Sequence, residues 1–109
     1  MTNEEALAAL GALAHPTRLT AFKLVVGHEP DGLTTGQLVE ATGLTQSTLS
    51  THLAVLSAAG LLRSERRGRN FIQRAQIERL RHLMLFLAKD CCQCRAELCE
   101  PFLAELNSC

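Results

Sequence analysis

The side chains of this sequence best suited to chemistry are its thiols. Four of the five cysteines lie in "KDCCQCRAELCE", residues 89–100: Cys91, Cys92, Cys94 and Cys99. The fifth, Cys109, is the last residue. Thiolates bind soft, thiophilic centres. They are also the side chains that oxidants and persulfides modify. An odd, clustered set fits a disulfide framework poorly. Other reactive constellations are missing from the sequence. It has no Ser/His/Asp set, no phosphate loop and no paired-carboxylate cleft. "CCQC" also lacks the glycines of a phosphate-cradling cysteine loop, so the sequence reads as a non-enzyme.

A second group stands out by charge. The net charge is zero, but residues 63–81 hold seven arginines against Glu65 and Glu78. The segments on either side are acidic. A local arginine cluster is the footprint of phosphate contacts, although charge alone fits a solvated basic face as well.

These groups need a scaffold, and 109 residues make one small domain. A hydrophobic fraction of 47% supplies one core, marginal alone at this size, so an oligomer sharing its core is expected. No apolar run approaches the roughly 18 residues of a membrane span. The acidic start "MTNEEALAAL" lacks the basic region of a secretory signal. A cytoplasmic location follows, reducing enough that structural disulfides are rare.

The pattern is mostly helical. Residues 3–14 carry an apolar stripe at Ala6, Leu7, Leu10 and Leu13. Pro16 suits the first turn of a second helix, with Leu19, Phe22, Leu24, Val25 and Val26 on its buried side. "GHEPDG" is a loop. Two short helices then flank "TGL" at 42–44. Thr35 is the expected cap of the first, with Leu38, Val39 and Ala41 inward. Thr45 is the expected cap of the second, with Leu49, Leu53, Leu56 and Ala59 inward and Gly60 just past its end. That is a helix-turn-helix pattern. "LLRSERRGRNFIQRA" follows as a basic β-hairpin turning at Gly68. A last helix from Ile77 is apolar nearly all round, which calls for cover on two sides. The expected fold is therefore mainly α. It is a single winged helix-turn-helix domain over 1–109, with about five helices and a two-stranded β-hairpin wing. It is homodimeric through its first and last helices, with a cysteine-rich tail over about 89–109.

Three stretches carry a family resemblance: "LAHPTRLTAFKLV" (13–25), "LTQSTLSTHLAVLSAAGLL" (44–62) and "ERRGRNFIQR" (65–74). Together they resemble the ArsR/SmtB family of bacterial metal-responsive repressors, over about 80 residues. The resemblance implies a homodimeric winged helix that binds operator DNA and releases it when an inducer binds. The residue types agree. A recognition helix reads base edges from its N-terminal half, and Gln, Ser and Thr suit base edges or phosphate. Thr45, Gln46, Ser47, Thr48, Ser50, Thr51 and His52 occupy that half. His52 has a spacing that also lets it point inward, as a core-edge histidine. Arg66, Arg67 and Arg69 suit phosphates or a narrow minor groove.

Inducer sites in this family occupy several places. An arsenic site on the first helix of the helix-turn-helix needs cysteines, and "TTGQLVEATG" has none. A zinc site between last helices needs more ligands than His82 and Glu78. A cadmium or lead site draws on N-terminal cysteines, also missing. "FLAKDCC" instead resembles an arsenic-sensing subgroup whose last helix ends in an acidic residue and a Cys-Cys pair. The resemblance implies trivalent arsenic as inducer: arsenite, antimonite as a chemical equivalent, or methylarsenite. Cys91 and Cys92 are the expected ligands, with Cys99 or Cys94 the third. Trivalent arsenic takes three sulfurs in a pyramid, whereas zinc prefers four ligands. Four nearby thiols leave cadmium, zinc and thiol oxidation or persulfide sensing as alternatives. Neighbouring helical residues point about 100° apart, so Cys91 and Cys92 converge only where a helix ends. Cys99 would return across a short loop, with Pro101 starting a last helical turn.

Overall fold

The computed structural model describes residues 1–88 and 96–107. Its elements run α1 (Asn3–Leu13), α2 (Pro16–Gly27), β1 (Leu33–Thr34), α3 (Thr35–Thr42), α4 (Gln46–Ala58), β2 (Leu62–Arg67), β3 (Asn70–Ala75), α5 (Ile77–Phe86) and α6 (Ala96–Asn107). The antiparallel sheet is ordered β1-β3-β2, with Leu33 opposite Gln73 and Leu62 opposite Ala75. This is a winged helix-turn-helix: α3 and α4 form the two-helix unit, and β2–β3 form the wing.

Helix starts are fixed by side chains that accept otherwise unpaired backbone N–H groups. Thr2 and Glu5 form a reciprocal capping box on α1, and Thr34 and Gln37 form another on α3. His15 caps α2, where its Nδ1 accepts from Thr17 N–H at 3.1 Å. The turn between α3 and α4 passes through Gly43 at φ 71°, a left-handed conformation that costs a glycine nothing. Gly43 N–H donates back to the Val39 carbonyl at 2.9 Å, which closes α3. The C-terminus of α1 has no basic residue of its own. Arg18, reaching from α2, donates to the Ala12 and Gly11 carbonyls at 2.6 and 3.3 Å. It thereby places a cation at the negative end of the helix.

The core gathers Phe22, Val25, Leu38, Leu49, Leu53, Leu56, Leu61 and Leu62 behind the helix-turn-helix. Several sequence expectations need correction here. On α1 the inward residues are Ala6, Ala9 and Ala12, while Leu7 is 68% and Leu10 40% exposed. Small side chains let α1 lie close on the core, and the leucines are turned outward. Leu19 on α2 is exposed, as is Ala41 on α3. Thr34, not Thr35, caps α3, because the chain reaches that helix through a third strand. β1 is too short, at two residues, to leave an alternation in the sequence. Six helices lie among the described residues, where about five were expected. α6 contains Pro101 in its interior, so Pro101 does not start a last turn and Cys99 lies within a helix.

α5 buries Leu83 and rests Leu80 and Phe86 against the core. Ile77, Met84, Leu85 and Leu87 stay exposed. An ion pair between Arg79 and Glu5, 3.0 Å, ties α5 to α1. The Glu5 carboxyl is pulled down to about 2 by the Thr2 backbone N–H first, then by Arg79. Among the described residues no helix is long and apolar enough to cross a membrane.

Candidate nucleic-acid interface

The N-terminal half of α4 is polar and open. Thr45 is its N-cap, accepting from Thr48 N–H at 3.3 Å. Gln46, Ser47, Thr48, Ser50 and Thr51 are all exposed. They do not share one role. Thr45 Oγ1 donates to Thr48 Oγ1 at 3.0 Å, and Thr51 Oγ1 donates to the Ser47 carbonyl at 3.2 Å. Those hydroxyls serve the helix itself. Gln46 and Ser50 instead face a groove of about 410 Å³, which also takes in Ser57 of α4, Thr35 of α3, and Ser64, Phe71 and Gln73 of the wing.

His52 adopts the inward alternative. It is half-buried, its ring centroid 4.6 Å from that of His15 with the planes tilted by 40°. Its buried Nδ1 has no hydrogen-bond partner among the described residues. Burial, then the neighbouring His15 and Arg18 charges, lowers its pKa and favours the neutral ring. His52 thus joins α4 to the cap of α2.

The wing has two faces, because strand side chains alternate. Register places Leu62 with Ala75, Ser64 with Gln73, and Arg66 with Phe71 on the face toward α4. That face runs from core, through a polar pair, to an exposed cation–aromatic pair. Ser64 Oγ donates to Gln73 Oε1 at 3.0 Å, and Gln73 is buried. The opposite face carries Arg63 with Arg74, Glu65 with Ile72, and Arg67 with Asn70.

Electrostatics separates the arginines in the same way. Glu65 draws Arg63, Arg74 and Arg67 at 2.6, 3.2 and 3.3 Å. Burial raises the Glu65 pKa, but these three cations outweigh it and the net shift is down. Glu29, from the α2–β1 loop, accepts from Arg74 Nη2 at 2.8 Å and from Ala75 N–H at 2.7 Å. Its pKa is lowered, first by the Arg74 hydrogen bond. Arg66 and Arg69 enter no salt bridge among the described residues, and Arg66 Nε donates only to the Gly68 carbonyl at 3.3 Å. Of the three wing arginines singled out in the sequence, Arg66 and Arg69 therefore keep their charge for a ligand, while Arg67 shares Glu65. The groove residues Thr35, Ser57, Ser64, Phe71 and Gln73 were not singled out as site residues from sequence. The period-two alternation from Ser64 to Arg66 and from Phe71 to Gln73 was the available signal.

Cys91, Cys92, Cys94 and Cys109 lie outside the described residues, and of Cys99 only its place in α6 is described. His82 is exposed on α5 near Glu78, whose carboxylate pairs with Arg81. No group of three or more metal-ligating side chains occurs among the described residues.

Comparison with known proteins agrees with this geometry. A family model described as a helix-turn-helix domain matches residues 13–65. The HTH-type transcriptional regulator YgaV of Escherichia coli (strain K12) is 40% identical over 63 residues, 58% of this chain. The match spans 62% of the length of that relative. A protein described as a possible transcriptional regulator for arsenical resistance is 31% identical, with a TM-score of 0.64 over 72% of this chain and 78% of its own. The homodimeric winged helix-turn-helix DNA-binding domain Mb0332 from Mycobacterium bovis, a possible ArsR-family regulator, shares the fold at 24% identity, with a TM-score of 0.66 over 75% of this chain and 74% of its own. The relatives above 30% identity are described as transcriptional regulators, and the chain belongs with them to the winged helix-turn-helix transcriptional regulators.

Proposed function

We propose that this protein is a homodimeric repressor that binds operator DNA and releases it when trivalent arsenic binds its C-terminal thiolates. The observation that carries the DNA reading is the pairing of an open, polar α4 N-terminus with a wing whose Arg66 and Arg69 are unpaired among the described residues. Such a pair can place hydroxyls and amides at base edges and guanidiniums on phosphates. Self-association is supported by the outward leucines of α1 and by Ile77, Met84 and Leu85 of α5 with Leu87 just past its end, an apolar surface contributed by two helices already joined through Arg79 and Glu5. The homodimeric assembly of the Mycobacterium bovis domain supports the same reading.

For the inducer, the support is chemical. Cys91 and Cys92, with Cys99 or Cys94, supply three soft thiolates, the number that saturates trivalent arsenic. The relative described for arsenical resistance points the same way. Binding at the end of the α5 segment would shift the packing of two copies and so the spacing of their α4 helices. Coupling of about 1–3 kcal/mol, a 5- to 150-fold change in operator affinity, is the expected scale.

The test is operator binding with and without arsenite, in the wild type and in Cys91→Ser, Cys92→Ser, Cys94→Ser and Cys99→Ser. Release should fail in Cys91→Ser and Cys92→Ser and in one of the other two. Release by arsenite in all four variants would place the sensor elsewhere. Mass spectrometry distinguishes the inducers: an added arsenic, cadmium or zinc atom, an added sulfur, or the loss of two hydrogens on oxidation.

A further inference from the structure

Phe71 is an exposed aromatic outside the core. The residue is 52% exposed, the largest apolar side chain turned outward on the wing. Its neighbours are specific. It stands opposite Arg66 in the β2–β3 register and lines the groove that Gln46 and Ser50 of α4 also line. Around it the groove presents hydroxyls, amides and the apolar Leu53 and Ala54, with no carboxylate among its described lining residues. The acids of the wing region, Glu65 and Glu29, are engaged on the opposite face with Arg63, Arg67 and Arg74. A site with neutral hydrogen-bonding groups, one unpaired guanidinium and one apolar ring matches a nucleic-acid strand, which offers phosphate, polar base edges and hydrocarbon.

We infer that Phe71 is a specificity-determining residue for operator binding: its ring packs on hydrocarbon of the duplex while Arg66 beside it holds the adjacent phosphate. The inference rests on the operator-binding reading above. The hydrocarbon that carries sequence information is the 5-methyl group of thymine, since a deoxyribose face is the same in every duplex. The uncharged ring adds contact without adding a phosphate neutralisation. Its loss therefore weakens binding without changing how binding responds to salt.

A duplex is first selected by the wild-type dimer from a random library. Fluorescence anisotropy then measures Phe71→Ala, Phe71→Leu and Arg66→Ala against that duplex and a scrambled one at several salt concentrations. Phe71→Ala is expected to bind the selected duplex about tenfold more weakly, the scale of one lost base-edge or apolar contact. Its binding to the scrambled duplex, its salt slope and its Tm should be unchanged, and Phe71→Leu should recover part of the loss. Arg66→Ala should reduce the salt slope by about one. Replacing thymine by deoxyuridine should bring the wild type to the level of Phe71→Ala, and a gap that persists on deoxyuridine overturns the methyl contact. Equal binding of wild type and Phe71→Ala to the selected duplex overturns the inference, as does an equal loss on both duplexes or a loss that tracks a lower Tm. Failure of the wild type to enrich any sequence overturns the operator reading and this inference with it.

Discussion

Removing the Glu29 carboxylate should loosen the wing. Glu29 holds β3 through four hydrogen bonds: three from Arg74, at 2.8, 3.1 and 3.2 Å, and one from Ala75 N–H at 2.7 Å. Both side chains of the pair are 17% exposed, so solvent screens the charge only in part. Ala75 is buried, and Glu29→Ala leaves its N–H without that acceptor. A buried unsatisfied donor costs about 1–3 kcal/mol, to which the lost charge-assisted contact adds roughly another 1 kcal/mol after screening. The expected loss is about 2–4 kcal/mol, or a Tm lower by roughly 10 °C or more for a domain of this size. Glu29→Gln keeps an acceptor for Ala75 and loses only the charge, so about 1 kcal/mol is expected. Urea unfolding of both variants at one fixed protein concentration is the assay, since self-association makes stability concentration-dependent. The reasoning is refuted if Glu29→Ala lies within about 0.5 kcal/mol of wild type, the range of an ordinary surface substitution. It is also refuted if Glu29→Gln is as damaging as Glu29→Ala.

Other consequences can be measured directly. His52 has a lowered pKa in the fold, so the unfolded chain binds more protons as pH falls through about 6.5. Tm should therefore be level above that pH and decline below it, and His52→Asn should remove the part of the decline that precedes carboxylate titration. Gly32 and Gly43 have φ 73° and 71°, but only at Gly32 would an added Cβ meet backbone, the Gln73 carbonyl at 2.5 Å. Gly43→Ala should cost about 1 kcal/mol from conformation alone, and Gly32→Ala clearly more in chemical denaturation. Leu7→Lys and Leu10→Lys charge a surface that is already exposed. Sedimentation should shift toward a single chain while the circular dichroism of the helices survives, and a dimer unaffected by both would move the interface away from α1.

The winged helix was legible because its markers are local. Thr45, the Leu49–Leu53–Leu56 spacing and Gly68 each act within a few residues. The polar half of α4 was legible for the same reason. What escaped depends on contacts distant in sequence. Periodicity alone cannot tell which side of α1 faces inward: Ala6, Ala9 and Ala12 sit on one stripe, Leu7 and Leu10 on the next, and the choice is made by how closely α1 approaches α4 and α5. β1 exists only because β3 offers it an edge. Arg74 is held by Glu29, 45 residues away. Phe71 belongs to a stretch legible only as half of a hairpin; its place in the groove follows from register, which composition does not carry.

The two-faced hairpin also limits how this protein can change in length. Substitutions alter one face at a time and leave the other intact. A single inserted or deleted residue between Leu62 and Arg67 would shift the β2 alternation by one and exchange its two faces beyond that point. Glu65 would then turn toward α4, where it would repel a nucleic-acid strand. Arg66 would turn to the side now held by Glu29 and Arg74. Changes at the Gly68 turn, outside the paired register, carry no such inversion. Length variation compatible with function should therefore concentrate at the tip of the hairpin, or enter β2 two residues at a time.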